Sequence, residues 1–213
     1  MTRLEVIMSL VDTPYIIDVG SDHGFVPKML LEDGIIKHAF VNDISEKCLN
    51  KAMSNLSTRK SDCTFLLGDG LSVLSQIDSL YYKDTSAIIT GMGGEEIIKI
   101  LSNKPAELSC YILGAQTSIF ELKEYLAANN YNIVRDIIAF DGEKFYNILK
   151  VVHGQMVTDD MSLYFGEENI KNRSEVFLSY CRYLLAKYDN IIKFRHDDRI
   201  IKLHTLIKQI LGE

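Results

Sequence analysis

The sequence predicts an α/β fold: a doubly wound, mostly parallel sheet that ends in an antiparallel hairpin, followed by a small helical hairpin. Three observations carry this reading. Short apolar runs alternate five times with segments of helical periodicity between residues 15 and 126. Those runs lack polar–apolar alternation, as strands covered on both faces must. Beyond residue 153 the strand pattern stops and only heptad-like stripes remain.

The elements follow in order. Tyr15-Ile16-Ile17-Asp18-Val19 reads as the first strand, and Val26, Met29 and Leu30 lie at helical spacing after it. Pro27 suits a first helical turn and Gly34 a helix stop. Ala39 to Asp43 is the second strand. Ser45 is placed to cap a helix whose Cys48, Leu49, Ala52, Met53 and Leu56 form one stripe. Thr64 to Leu67 is the third strand, closed by Gly68-Asp69-Gly70. Ala87 to Thr90 is the fourth, closed by Gly91-Met92-Gly93-Gly94, with Ile97, Ile98 and Leu101 on the next helix. Tyr111 to Leu113 is the fifth, and Ser118 with Glu121 has the spacing of a capping box over Leu122 and Leu126. Two strands, from Ile133 to Ile138 and from Phe145 to Val152, flank Asp141-Gly142, a hairpin signal. In the tail, Phe177, Cys181, Leu184, Tyr188 and Ile191 form one stripe and Ile200, Leu203, Ile207 and Ile210 another. They predict an antiparallel coiled pair, with a single long helix as the alternative because no Gly or Pro marks a turn. The division expected is a sheet domain over 1–156 and a helical hairpin over 157–213.

Composition bounds the function classes. Of 213 residues, 47% are hydrophobic and 24% charged, which excludes disordered and fibrous classes. No apolar run approaches the roughly 20 residues of a membrane span, and Met1 to Ser9, with Glu5 inside its apolar part, does not read as a signal peptide. Cys48, Cys63, Cys110 and Cys181 stand far apart, which argues against both a zinc site and a disulfide framework. A cytoplasmic monomer without metal is the expectation. Net charge is −6, but unevenly spread: residues 1–166 carry 14 Lys and Arg against 22 Asp and Glu, and residues 167–213 carry 9 against 7. Within the tail, Lys193, Arg195, Arg199, Lys202 and Lys208 form the one local basic excess, readable as a solvated helix face or as a polyanion contact.

The turn after the first strand, Asp18-Val19-Gly20-Ser21-Asp22-His23-Gly24, lies where open α/β sheets bind nucleotide-like ligands. A dinucleotide fingerprint would need glycines at Asp22 and Phe25, and no P-loop GK[ST] occurs. A pyrophosphate there would also face Asp22 and Asp18, and like charges in a partly dry site repel. A cationic ligand without phosphate fits better, and S-adenosylmethionine is one. Asp43 ends the second strand, where a carboxylate can take both ribose hydroxyls; Asp69 follows the third, suited to an adenine amino group; glycines close the fourth, where backbone must approach closely. Each alone is ordinary turn chemistry. Together they occupy the carboxyl ends of successive strands.

At these residues the sequence resembles the bacterial tRNA methyltransferases that modify N1 of adenine 22. The segments carrying the resemblance are Asp18 to Pro27, Gly68-Asp69-Gly70-Leu71, Thr90-Gly91-Met92-Gly93-Gly94 and Asp141 to Tyr146. Arg3-Leu4 and the tail after Phe165-Gly166 extend it over nearly the whole chain. One departure is Gly114-Ala115-Gln116, where the family carries Gln-Pro-Asn; an amide is kept on a longer side chain and the proline is lost. The resemblance implies a Rossmann-like catalytic domain, S-adenosylmethionine as donor and tRNA as substrate. The cofactor residues expected are Asp18, Gly20, Ser21, His23, Gly24, Asp43, Ile44, Asp69, Gly70, Gly91 and Met92. Asp22, Gly93, Gln116 and Tyr146 are the candidates at the reacting centre, and Lys144, Lys193, Arg195, Arg199 and Lys202 those for RNA.

Methyl transfer to a neutral ring nitrogen needs no metal and no covalent intermediate, only in-line positioning and stabilisation of charge moving onto the base. Because N1 lies on the pairing edge, the base must be unpaired or turned out. N1 has no proton to remove, so His23 is not required as a base. Asp22 suits either the adenine amino group, the cationic product or the cofactor. A methyltransferase of a small metabolite, or a non-catalytic S-adenosylmethionine binder, would keep the same cofactor features.

Overall fold

The computed structural model describes every residue from Met1 to Glu213 except Asp22 and Pro105. In chain order the elements are α1 (Arg3–Leu10), β1 (Tyr15–Val19), α2 (Phe25–Glu32), β2 (His38–Asp43), α3 (Glu46–Asn55), β3 (Cys63–Leu67), β4 (Thr85–Met92), α4 (Gly94–Ser102), β5 (Cys110–Ala115), α5 (Ile119–Ala128), β6 (Tyr131–Asp141), β7 (Lys144–His153), α6 (Asp160–Phe165), α7 (Glu167–Asn172), α8 (Glu175–Ile192) and α9 (Asp198–Leu211). Short 3₁₀ turns fill the connections from β3 to β4 and from α3 to β3.

The seven strands form one sheet in the order β3-β2-β1-β4-β5-β7-β6. The first five are parallel, and β7 runs antiparallel to both β5 and β6. The order reverses between β1 and β4, which opens the crevice where such sheets take their ligands. Adjacent side chains on each strand point to opposite faces. Ile16, Val41, Ile88 and Ile112 meet α1, α2 and α3 on one face, while Ile17, Phe40, Ile89 and Leu113 meet α4 and α5 on the other. Both faces of β1, β2, β4 and β5 are covered, which is why those strand sequences carry no alternation, while edge strand β3 leaves Thr64 and Leu67 exposed.

The second core continues without a break into the tail: Tyr164, Phe165, Phe177, Leu184, Leu203 and Ile207 share it with Leu149 and Val151 of β7. A buried ion pair pins this junction. Lys123 of α5 reaches Asp136 of β6 at 2.5 Å and donates to the Tyr164 carbonyl at 2.6 Å.

The structure decides between the two readings of the tail. The helix ends at Ile192 and restarts at Asp198, whose helix is capped by Asp197 accepting from the Ile200 amide. The result is a hairpin, closed by His204 against Asp189 at 2.9 Å. A turn forms without Gly or Pro because the Asp cap satisfies the new N-terminus.

One local expectation is corrected. Ser118 and Glu121 make no capping box: Ser118 sits in the left-handed region at φ 53° and its side chain caps nothing. Glu121 instead accepts from Arg199 of α9. Conversely, Thr2 and Glu5 form a reciprocal capping box over α1. The four cysteines are free. Among the described residues no helix is long and apolar enough to cross a membrane.

Candidate active site

β1 delivers Asp18 to the carboxyl edge of the sheet, 6% exposed. Its carboxylate accepts from the Ser21 hydroxyl at 2.6 Å. Burial pushes the Asp18 pKa from 3.8 up to about 6, the Ser21 hydrogen bond opposes that, and the nearby Asp43 carboxylate adds to it. Asp18 is thus an acid whose charge is costly in its buried setting, a group that gains from any cation placed beside it.

The chain leaves β1 through Gly20, at φ +75°, with the Gly20 and Ser21 amides both donating to the Asn42 carbonyl. A Cβ at residue 20 would stand 3.0 Å from Met92 Cε, so the exits of β1 and β4 approach each other closely here. Gly24 caps α2, and its amide donates to the Ser21 carbonyl at 2.7 Å. His23 stacks on Phe25, and its carbonyl accepts from Asn55 of α3. Asp22 lies outside the described residues.

At the end of β2, Asp43 is buried and accepts from the Ser45 amide at 2.8 Å, while Ile44 projects into solvent at 70% exposure. Ser45 caps α3 as its spacing predicted. Asn42, missed by the sequence reading, is 1% exposed, and its amide donates to the carbonyls of Leu66 and Gly68. It holds the end of β3, and therefore Asp69 and Gly70, beside β2. Asp69 is exposed, which sets its carboxylate at the crevice rim rather than in the core.

The fourth strand runs further than its apolar run suggested, to Met92, with a bulge between Thr90 and Met92 around Gly91. Gly91 has open space beside it. Gly93 caps α4, and Gly94 packs directly on backbone: a Cβ there would lie 2.3 Å from the Ser118 carbonyl oxygen. This contact, with the Gly94 amide donating to Thr117 and the Gln116 amide to Met92, locks the β5 exit to the β4 exit.

Gln116 therefore faces a small pocket shared with Arg3, Thr90, Gly91, Tyr146 and Asn147. The Arg3 guanidinium lies over the Tyr146 ring, 5.4 Å from its centroid. Arg3 is a second residue that sequence reasoning did not assign; the capping box that places it on α1 was the available signal. Asn147 is buried and donates to the Tyr180 hydroxyl, and burial raises the pKa of that phenol. Tyr146 and Asn147 also border a groove of about 640 Å³ that runs from Gln116 to α8 and α9, past Lys144, Tyr183 and Lys187.

The basic tail is not one free face. Arg199 pairs with Glu121 at 2.5 Å and Glu124 at 2.6 Å, and Lys202 pairs with Asp160 at 2.7 Å. Both cations fasten α9 to α5 and α6. Arg195 only approaches Asp197, at 3.9 Å, and Lys193 contacts Asn190. Lys144 stands at the β6–β7 turn, at the end of the sheet where the parallel strands have their carboxyl ends, opposite Asp141 in register.

The residue set from β1 through β4 stands at the carboxyl ends of adjacent parallel strands, with Gln116 at the β5 exit beside it. A profile of the methyltransferase domain matches residues 1–149. The chain belongs to the methyltransferase-domain family. This methyltransferase domain is similar to a candidate tRNA methyltransferase of Mycoplasma genitalium, 27% identical over 154 residues, 70% of this chain and 68% of that one. Among solved structures it resembles a Streptococcus pneumoniae protein described as a candidate tRNA (m1A22) methyltransferase in complex with S-adenosyl-L-methionine. Identity is 29%, coverage 99% of this chain and 100% of that one, and TM-score 0.86. M. capricolum TrmK bound to S-adenosyl-homocysteine shares the fold, with 22% identity, TM-score 0.84 and coverage of 100% and 96%.

Proposed function

We propose that this methyltransferase transfers a methyl group from S-adenosylmethionine to N1 of adenine 22 in tRNA. The observation that carries the reading is the convergence of Asp18, Gly20, Asp43, Asp69 and Gly91 at the carboxyl ends of four adjacent parallel strands. The likeness of nearly the whole chain to the S. pneumoniae protein described with S-adenosyl-L-methionine supports it.

The donor set suits the cofactor. When bound, S-adenosylmethionine supplies an electrophilic methyl on a sulfonium. Asp18, buried and raised in pKa, is matched to the positive methionine end; Asp43 to ribose hydroxyls; Asp69 to the adenine rim. Gly91, with open space beside it, leaves room at the reacting centre. Gln116, Tyr146, Asn147 and Arg3 line the adjoining pocket, where an extruded adenine needs a stacking ring and amide partners. The Gln116 amide offers a donor and an acceptor there, and Gly93 holds the loop that presents it. Asp22, Ser21, His23, Gly24, Ile44, Gly70 and Met92 remain in the proposed cofactor and base shell. In this reading residues 1–156 hold the chemistry and residues 157–213 help to dock RNA.

The ion pairs of Arg199 and Lys202 shift the proposed RNA contacts toward Lys144, Lys187, Lys193 and Arg195. Exposed Tyr183 and the adjacent Phe145 give the groove rings for stacking. The test is incubation with labelled S-adenosylmethionine and unmodified tRNA, followed by mapping of the modified nucleotide. Label at N1 of adenine 22 is expected; label elsewhere, or on small metabolites only, refutes the assignment. Tyr146→Ala should cut turnover while leaving cofactor affinity within about twofold.

A further inference from the structure

A second cluster of reactive side chains lies at the opposite end of the sheet. Tyr111 stands near the start of β5, Tyr131 at the start of β6 and His153 at the end of β7, with Tyr131 and His153 paired in register. These are the amino ends of the parallel strands, whereas Asp18 and Asp43 lie at the carboxyl ends.

Lys104, in the connection from α4 to β5, brings its Nζ to 2.6 Å from His153 Nε2. On the other side of the same ring, His153 Nδ1 faces Glu107 Oε1 at 3.4 Å. A carboxylate at Nδ1 favours the tautomer with its proton on Nδ1, which leaves the Nε2 lone pair for the lysine. The Tyr111 hydroxyl is a weaker rival for that lone pair, at 3.3 Å, and itself accepts from Lys104 and from the Leu108 amide. The faces of Tyr111 and Tyr131 wall the amine, with ring centroids at 5.2 and 4.7 Å from Nζ. The order is therefore carboxylate, imidazole, amine, the arrangement that activates a nucleophile through an oriented base.

We propose that Lys104 is a self-acylating lysine, taking acyl groups from small activated donors, thioesters or acyl phosphates, with His153 as its base and Glu107 holding the imidazole. The Nζ lone pair attacks the acyl carbon and an amide C–N bond forms. The C–S bond to the thiol, or the C–O bond to phosphate, breaks, and the leaving group departs with that electron pair. The proton lost from Nζ goes to His153 Nε2 and from there to solvent or the leaving group. Supporting this, burial lowers the Lys104 pKa, with Glu107 opposing, and burial followed by the Lys104 charge lowers that of His153, again with Glu107 opposing, which keeps the imidazole neutral and its Nε2 lone pair free to take a proton. The inference is independent of the methyl-transfer reading.

The experiment incubates the full chain separately with acetyl phosphate and with acetyl-CoA, and follows acetylation of every lysine by peptide mass spectrometry. Lys104 should label about a hundredfold faster than exposed Lys47, Lys99 and Lys208, the low end of what a positioned base contributes. Whichever donor labels it identifies the leaving group the site accepts. His153→Gln should bring Lys104 down to the rate of the reference lysines, with the fold checked by circular dichroism. Glu107→Gln, at a side chain 69% exposed, tests the same relay without disturbing the core and should slow labelling severalfold. Labelling of Lys104 no faster than the reference lysines with both donors, or native rates in the two variants, would overturn the proposal.

Discussion

Replacing Asp18 by Asn should make the protein more stable and its cofactor site worse, and the two effects have one cause. Asp18 is buried, and its pKa stands at about 6 against 3.8 for an ordinary aspartate. The folded state therefore holds a proton that the unfolded chain releases between those values. Stability from this group is complete below pH 3.8 and is lost as pH rises through 6. A shift of about two units corresponds to about 3 kcal/mol of stability missing at pH 7.5. The asparagine side chain keeps the shape and an acceptor for the Ser21 hydroxyl but carries no charge to desolvate. In a domain of this length 1 kcal/mol moves Tm by about 2–4 °C, so Asp18→Asn should raise Tm by up to about 6–12 °C at pH 7.5 and by almost nothing near pH 3.5. Cofactor binding should move the other way. The native protein should lose affinity for S-adenosylmethionine as pH falls below 6, when Asp18 becomes neutral, while Asp18→Asn should bind about tenfold more weakly at pH 7.5 and show no such slope. Thermal denaturation and titration calorimetry across this range measure both. Equal Tm gains at pH 3.5 and 7.5, or a native affinity flat from pH 5 to 7, would refute the reasoning.

Four further substitutions probe the frame around the site and the proposed RNA contacts. Gly94→Ala drives a methyl group to 2.3 Å from the Ser118 carbonyl oxygen and should cost about 1–3 kcal/mol in urea denaturation, with turnover falling as the Gln116 loop moves. Lys123→Met strands Asp136, whose partner is 1% exposed, and should destabilise by about 3–5 kcal/mol; a loss under 1 kcal/mol would show that the pair is dispensable. Arg199→Glu sets a third carboxylate against Glu121 and Glu124 and should lower Tm, whereas Arg195→Glu should leave Tm unchanged and weaken tRNA binding, most visibly at low salt.

Much of this architecture was legible in the sequence because it rests on local periodicity and on turn chemistry. The first five strands stand where their apolar runs stand; for β1, β2, β4 and β5 the reason is that a strand buried on both faces needs an uninterrupted run. The Asp141-Gly142 signal marks the hairpin, and Gly142 and Glu143 both take positive φ at its tip. Ser45 caps its helix as read. Ser118 did not, because the cap spacing describes an isolated helix end, and here Gly94 and Arg199 compete for the same neighbourhood.

What the sequence determined alone was therefore the order of elements and the placing of Asp18, Asp43, Asp69 and Gly91 at or just beyond the carboxyl ends of four strands. Tertiary structure decided what no linear spacing contains. Arg3 and Tyr146, 143 positions apart by their numbering, become one cation–ring pair only when α1 packs beside β7. Arg199 and Lys202 read as free basic charge in a composition count, yet they are held by carboxylates on α5 and α6. Asp18 has the sequence context of any turn aspartate, and only burial beside Asp43 makes it a strained acid. Charge is a property of a residue, but its energy belongs to the surroundings, and those are assembled by the fold.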